Sequence, residues 1–251
     1  MENNKNLYRK YPIEDIYFCK YQKYPIEDKD YEYLYRKYKS KYLLAKKKLQ
    51  IQNGGGLKYD NSLWIEENFF SEKEFEEIKE YCNNLELKED PRSNNRLSLC
   101  LNPKQHKYLY DTIYKNKKFI KFINSIKDND MEIKLTPTYP IEYRKYPKGS
   151  QGMPWHQDTS LFTPDAFEVV LTITNSSDSK FLWQEGGEER SVNPQANTLA
   201  VVKPTSVLHS VSSVNYGERT ILKFVIEFIK KGESDNKPKS TFKIEIENCP
   251  F

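Results

Sequence analysis

The stretch FEVVLTIT at residues 167–174, with its later counterpart RTILKFVIEFI at residues 219–229, decides how this chain folds. Both are rich in β-branched and aromatic residues and are bounded by Pro, Gly, Asn or Ser, which marks them as buried strands. Working outward, the same texture runs through IKLTPTYPIEYRKY (133–146), FLWQ (181–184), ERSV (189–192), NTLAVVKP (197–204), VLHSV (207–211) and TFKIEIE (241–247). About eight strands in roughly 120 residues, separated by turn signals, predict a closed or double-sheet antiparallel β-structure.

Upstream the period changes. In SLWIEENFFSEKEFEEIKEYCNNLEL (62–87) a short apolar strand at 63–65 leads into a helix that Ser71 and Glu74 open as a capping box. Phe75, Ile78 and Cys82 share one face of that helix. A second helical stretch is expected from about 103 to 127, with Pro103 in its first turn and Leu109, Ile113, Phe119 and Ile123 turned inward. The fold class is therefore mainly β with flanking helices, of sandwich or jelly-roll type.

Ahead of this body lies a different composition. Residues 1–58 hold 14 of the Lys and Arg against 7 Asp and Glu, and 10 of the 19 tyrosines, so a basic tail precedes an acidic body. YRKYPIED at 8–15 recurs as YQKYPIED at 21–28, a local duplication too short for a solenoid. From 30 to 50 the apolar and aromatic positions fall at helical spacing with basic residues between them, and Asn53-Gly54-Gly55-Gly56 ends the run. Two readings stay open: a solvated helix packing its tyrosines on the body or another chain, or a surface for nucleic acid or another acidic partner. The division is thus 1–58, a Tyr/Lys-rich basic appendage with a glycine linker, and 59–251, the body.

Composition excludes several classes. No apolar run approaches the ~20 residues of a spanning helix, and the first residues lack the apolar stretch of a signal peptide, so a cytoplasmic protein is expected. Four cysteines without a CxxC pair indicate neither a zinc ribbon nor a disulfide framework.

There are only three histidines, His106, His156 and His209. His156 and Asp158 stand at i and i+2 of an extended segment, so their side chains point the same way, and His209 follows in a second β-type run. Two imidazoles and one carboxylate on one face, with open positions opposite, form the ligand set of non-haem Fe(II) oxygenases. The alternative is ordinary: His156 paired with Asp158 for tautomer control, and His209 at a sheet edge. Arg219, ten residues past His209, adds weight: Gly217 marks a turn, and if the next strand returns antiparallel from it, Arg219 lies at its start near the His209 strand. A guanidinium there can take a carboxylate bidentately, and a dicarboxylate held by Arg at one end and metal at the other is 2-oxoglutarate. Arg219 could instead form a hairpin surface ion pair with Glu218 or another acid.

On these residues the sequence resembles the Fe(II)- and 2-oxoglutarate-dependent dioxygenases, most closely the prolyl 4-hydroxylase-like branch. The HxD...H...R order is carried by His156, Asp158, His209 and Arg219, and Trp64 to Ser71 resembles the strand-helix opening of that branch. The resemblance spans roughly residues 63–229. It implies a double-stranded β-helix with iron held by His156, Asp158 and His209, and 2-oxoglutarate and O₂ as co-substrates. Ascorbate would serve as accessory reductant. It implies that Tyr146 contacts 2-oxoglutarate, with Arg144 on the same strand face and Thr220 as further candidates. The reaction implied is decarboxylation of 2-oxoglutarate to succinate and CO₂ coupled to hydroxylation of an unactivated C–H bond, of a protein or peptide side chain by resemblance.

The sequence departs from the branch in places. Lys is usual where Arg219 stands, Lys223 shares its strand parity, the Gly186-Gly187-Glu188 turn is only loosely similar, and Asn197 occupies a position where glycine is common. Nucleic-acid demethylases of the superfamily carry a second arginine six residues after the first, and Val225 stands there instead. The tail is similar to N-terminal segments of many giant double-stranded DNA virus proteins, which implies a viral protein of infected-cell cytoplasm or the virion. Two alternatives remain from other classes: a jelly-roll binding or virion structural protein with a non-catalytic metal site, and a cupin-type metalloenzyme that uses no 2-oxoglutarate.

Overall fold

The computed structural model describes residues 57–59 and 62–239. The chain divides between Asn53 and Gly54, and the described residues belong to the second unit. The duplicated segment, the basic helix expected over 30–50 and the strand expected over 241–247 lie outside them.

In chain order the strands are β1 (Leu57–Tyr59), β2 (Leu63–Glu66), β3 (Lys88–Glu89), β4 (Leu97–Leu101), β5 (Met131–Ile133), β6 (Ile141–Tyr146), β7 (Met153–His156) and β8 (Phe162–Thr163). They continue with β9 (Phe167–Asn175), β10 (Phe181–Glu185), β11 (Glu188–Val192), β12 (Leu199–Val202), β13 (His209–Val211), β14 (Arg219–Ile226), β15 (Phe228–Lys230) and β16 (Lys237–Pro238). Three helices, α1 (Glu72–Asn83), α2 (Lys107–Tyr114) and α3 (Lys117–Ile126), fall between β2 and β5. A large sheet runs β1-β2-β12-β9-β14-β6-β4-β3 and a small one β11-β10-β13-β7, all pairs antiparallel. This is the double-stranded β-helix, with helices flanking it.

Period-2 alternation in the two deciding runs builds the two sides of the large sheet. Phe167, Val169, Leu171 and Ile173 of β9, with Leu222, Phe224 and Ile226 of β14, join Phe75, Ile78, Ile113, Phe119 and Ile123 of the helices in one buried core. Each such side chain taken fully from water contributes ~1.5–3 kcal/mol. The residues between them, Glu168, Val170 and Thr172 on β9 and Arg219, Ile221 and Lys223 on β14, line a cleft between the sheets. One face of each strand thus holds the fold together, and the other is free to carry polar groups.

Helix α1 starts as the capping box requires: Ser71 Oγ accepts from the Glu74 N–H at 3.4 Å, and Glu74 Oε2 accepts from the Ser71 N–H at 2.9 Å. The second helical stretch differs from expectation. It is two helices, and Pro103 lies ahead of both, because Asn116 leaves helical geometry and caps α3 through its side chain on the Phe119 N–H. The run 133–146 is likewise interrupted between β5 and β6, where Pro137 and Pro140 cannot donate to a ladder.

The cysteine expectation needs one correction. Cys82 is a free thiol buried in the core, but Cys100 is disulfide-bonded. Among the described residues no helix is long and apolar enough to cross a membrane.

The segment after β15 returns to the stretch that follows Asp158. β16 pairs with β8, the Lys239 N–H donates to the Leu161 carbonyl at 2.8 Å, and Lys239 Nζ lies 3.1 Å from Asp165. Phe162 is fully buried beneath this contact with Tyr139, Leu161 and Val225.

Candidate functional site

His156 ends β7 and His209 begins β13, and the two are directly paired neighbours across these strands rather than facing each other from opposed sheets. Asp158 lies just past β7 and its carbonyl accepts from the Thr205 N–H, which holds it over the same point. His156 Nε2 is 3.7 Å and His209 Nε2 3.4 Å from the Asp158 carboxylate, and one ligand atom from each of the three residues lies within 4.8 Å of the others.

The outer ring nitrogens are engaged elsewhere. His156 Nδ1 is 2.8 Å from the Pro154 carbonyl and His209 Nδ1 3.0 Å from that of Val207. A carbonyl only accepts, so each Nδ1 carries the hydrogen and each neutral ring turns an Nε2 lone pair toward Asp158. That is the tautomer a metal ligand needs. His156 Nε2 is buried without a hydrogen-bond partner.

The charges in the cluster are set by its surroundings. The Asp158 carboxylate beside it raises His156, whereas burial lowers His209. Burial pushes the Asp158 carboxyl up, but His156, Lys223 and His209 together outweigh it and hold it below the ordinary range.

Arg219 lines the same cleft from the facing large sheet. It is 6% exposed, its Nε is buried without a partner, and among the described residues no carboxylate is within ion-pair distance of it. Glu218, the alternative partner, pairs with Lys145 at 2.9 Å instead. A Cβ at Gly217 would meet the Ser176 carbonyl oxygen at 2.3 Å, and φ there is +65°, so the turn delivering Arg219 to the start of β14 needs glycine.

Tyr146 is directly opposite Arg219 on β6. Burial pushes its phenol up, but Arg144, Arg96 and Arg219 around it outweigh that and lower it. Arg144 also lines the cleft, yet its guanidinium is committed to Glu142 at 2.7 Å. Thr220 faces away and hydrogen-bonds Thr174 at 2.7 Å. His106 is remote, on Tyr81 at 2.9 Å.

One residue of this face escapes a reading by motif. Glu168 lines the cleft, 7% exposed, and burial raises its carboxyl to about 7. The available signal was its being the sole acid in FEVVLTIT, at cleft-facing parity.

No protein-family model and no curated protein matches the chain by sequence. Solved structures do match by shape. An oxidoreductase of the 2OG-Fe(II) oxygenase family from Burkholderia pseudomallei aligns with TM-score 0.52 and 14% identity over 66% of this chain and 84% of its own. HygX from Streptomyces hygroscopicus, with nickel, 2-oxoglutarate and hygromycin B bound, aligns at 0.52 and 9% over 70% and 86%. A Trichoplax adhaerens prolyl hydroxylase in complex with a hypoxia inducible factor peptide fragment aligns at 0.51 and 13% over 68% and 85%. The fold is that of the 2-oxoglutarate-dependent Fe(II) oxygenases. Prolyl hydroxylases are among the structures that share it.

Proposed function

We propose that this protein is an Fe(II)- and 2-oxoglutarate-dependent dioxygenase that hydroxylates an unactivated C–H bond of a protein or peptide side chain. The observation that carries the reading is one cleft holding both an imidazole-imidazole-carboxylate cluster and a buried guanidinium without a carboxylate. Two neutral imidazoles and one carboxylate suit Fe(II), leave coordination positions open, and explain the unpartnered Nε2 of His156. His156, Asp158 and His209 would hold the iron.

Arg219 would take the distal carboxylate of 2-oxoglutarate, with the Tyr146 ring against its guanidinium. Iron and 2-oxoglutarate, when bound, supply the oxidising chemistry that yields succinate and CO₂ and puts one atom of O₂ into the substrate. The chain supplies ligand geometry, a cleft whose walls exclude bulk water, and orientation of the C–H bond. A peptide substrate is supported by the fold-mate solved with a peptide fragment.

The test is anaerobic addition of Fe(II) and 2-oxoglutarate to the full chain, with the visible metal-to-ligand charge-transfer band as readout and His156→Ala as control. A band that disappears in the control supports the reading. Metal binding without a band overturns it.

A further inference from the structure

Beside the ligand cluster the cleft carries a second charged pair. Lys223 pairs with Val170 and Val225 with Glu168, so Lys223 and Glu168 are diagonal neighbours on the cleft side of β14 and β9. Lys223 Nζ stands 3.5 Å from Glu168 Oε2, longer than the ~2.7–2.9 Å of a charge-assisted hydrogen bond. Glu168 Oε2 is buried with no hydrogen-bond partner. Leaving a buried carboxylate oxygen so costs free energy, and packing does not require it, since the opposite face of both strands is apolar.

A carboxylate and an ammonium side by side offer one acceptor and one donor. That is what one residue of a strand offers its antiparallel partner, and an extended peptide residue presents the complementary N–H and C=O along one edge. Glu168 would repel a bare anion and Lys223 a bare cation, whereas a neutral amide satisfies both. Glu168 and Lys223 line the same cleft as His156, Asp158 and His209. A group held by this pair is therefore held at the ligand cluster.

Resting on the peptide reading above, we propose that Glu168 and Lys223 are the specificity element of the cleft. Glu168 accepts the backbone N–H, and Lys223 donates to the backbone C=O, of the substrate residue presented for hydroxylation.

The test uses pools of the capped tripeptides acetyl-Gly-Xaa-Gly-amide with the Fe(II)-loaded full chain, 2-oxoglutarate and air, reading succinate. At least one pool should raise turnover above the peptide-free rate. The same tripeptide with an ester in place of the Xaa amide should show a KM raised about ten- to a hundredfold with kcat little changed. Glu168→Leu should bind amide and ester alike, and Lys223→Met should raise the KM for both. A wild-type protein that treats amide and ester alike overturns the proposal even if no variant folds. So does a Glu168→Leu protein that keeps the amide preference, or a charge-transfer band with no pool active. Absence of that band in the wild type instead overturns the dioxygenase reading itself.

Discussion

Arg219 and Tyr146 face each other across β14 and β6, with the guanidinium carbon 5.1 Å from the centre of the phenol ring. Burial lowers the Arg219 pKa, and the Tyr146 phenol is the group that counters it. A buried guanidinium so placed is costly to the folded state and valuable to an anion. Arg219→Met should therefore raise the melting temperature of the metal-free protein while weakening 2-oxoglutarate binding by about 2–5 kcal/mol. Thermal melts beside calorimetric titration check both halves, and a lower melting point with unchanged affinity would refute the account.

Metal loading should stabilise the fold through the three ligands. At a free metal concentration a hundredfold above Kd the gain is about 2.7 kcal/mol. Ni(II), which is redox-inert in air, should raise the wild-type melting temperature, and alanine at His156, Asp158 or His209 should each remove that rise. A variant that keeps the full shift takes its residue out of the ligand set.

The two histidines differ in proton affinity, which sets how metal binding fails in acid. His156 is raised by Asp158 and His209 is lowered by burial, so protons compete first at His156. Affinity should fall as pH drops through and below the ordinary imidazole value of ~6.5. Metal titrations from pH 8 to pH 5 measure this, and a flat profile counts against both rings.

Glu142 lies on the cleft side of β6 opposite Lys223, fully buried and accepting from Arg92, Arg144 and the Tyr139 hydroxyl. Burial pushes its carboxyl up, but Arg144 and Arg92 outweigh it and lower it to about 2. Its unfolded value is higher, so its contribution is fully present above ~4.3 and is lost as pH falls toward about 2. Glu142→Gln should cost about 3–5 kcal/mol at pH 7, by leaving the buried Arg144 guanidinium without its carboxylate while Arg92 keeps Asp90 alone. The deficit should shrink as wild type and variant are compared by urea unfolding at progressively lower pH.

Asn197 takes φ +61°, and its side chain accepts from the Phe70 N–H at 2.9 Å and donates to the Phe70 carbonyl at 2.8 Å. Glycine keeps the backbone but loses both bonds, and alanine loses both and adds strain. The expected order of stability is Asn above Gly above Ala, with about 1–3 kcal/mol between Asn and Gly. Chemical denaturation decides it.

Much of this was legible beforehand because it is written in short-range pattern. The alternation in 167–174 and 219–229 fixes which side chains reach the cleft, and the Ser71/Glu74 box fixes where α1 begins. HxD spacing nominated His156 and Asp158. What pattern could not supply is long-range pairing. That His209 sits beside His156, that Glu218 is drawn off by Lys145, and that Arg144 is held by Glu142 depend on strand register between distant segments. The break between α2 and α3 was missed because the apolar period continues through it, while a single side-chain cap at Asn116 turns the chain.

The pairing of Lys237–Pro238 with Phe162–Thr163 has a practical side. By strand count the jelly roll is complete at Lys230, and a protein engineer trimming the chain for expression would cut there. That cut removes the tie on the loop that follows Asp158 and the Asn236 amide bonded to buried Glu227, so the shortened protein, correctly sequenced at His156, Asp158 and His209, should be less stable and poor at holding a metal there.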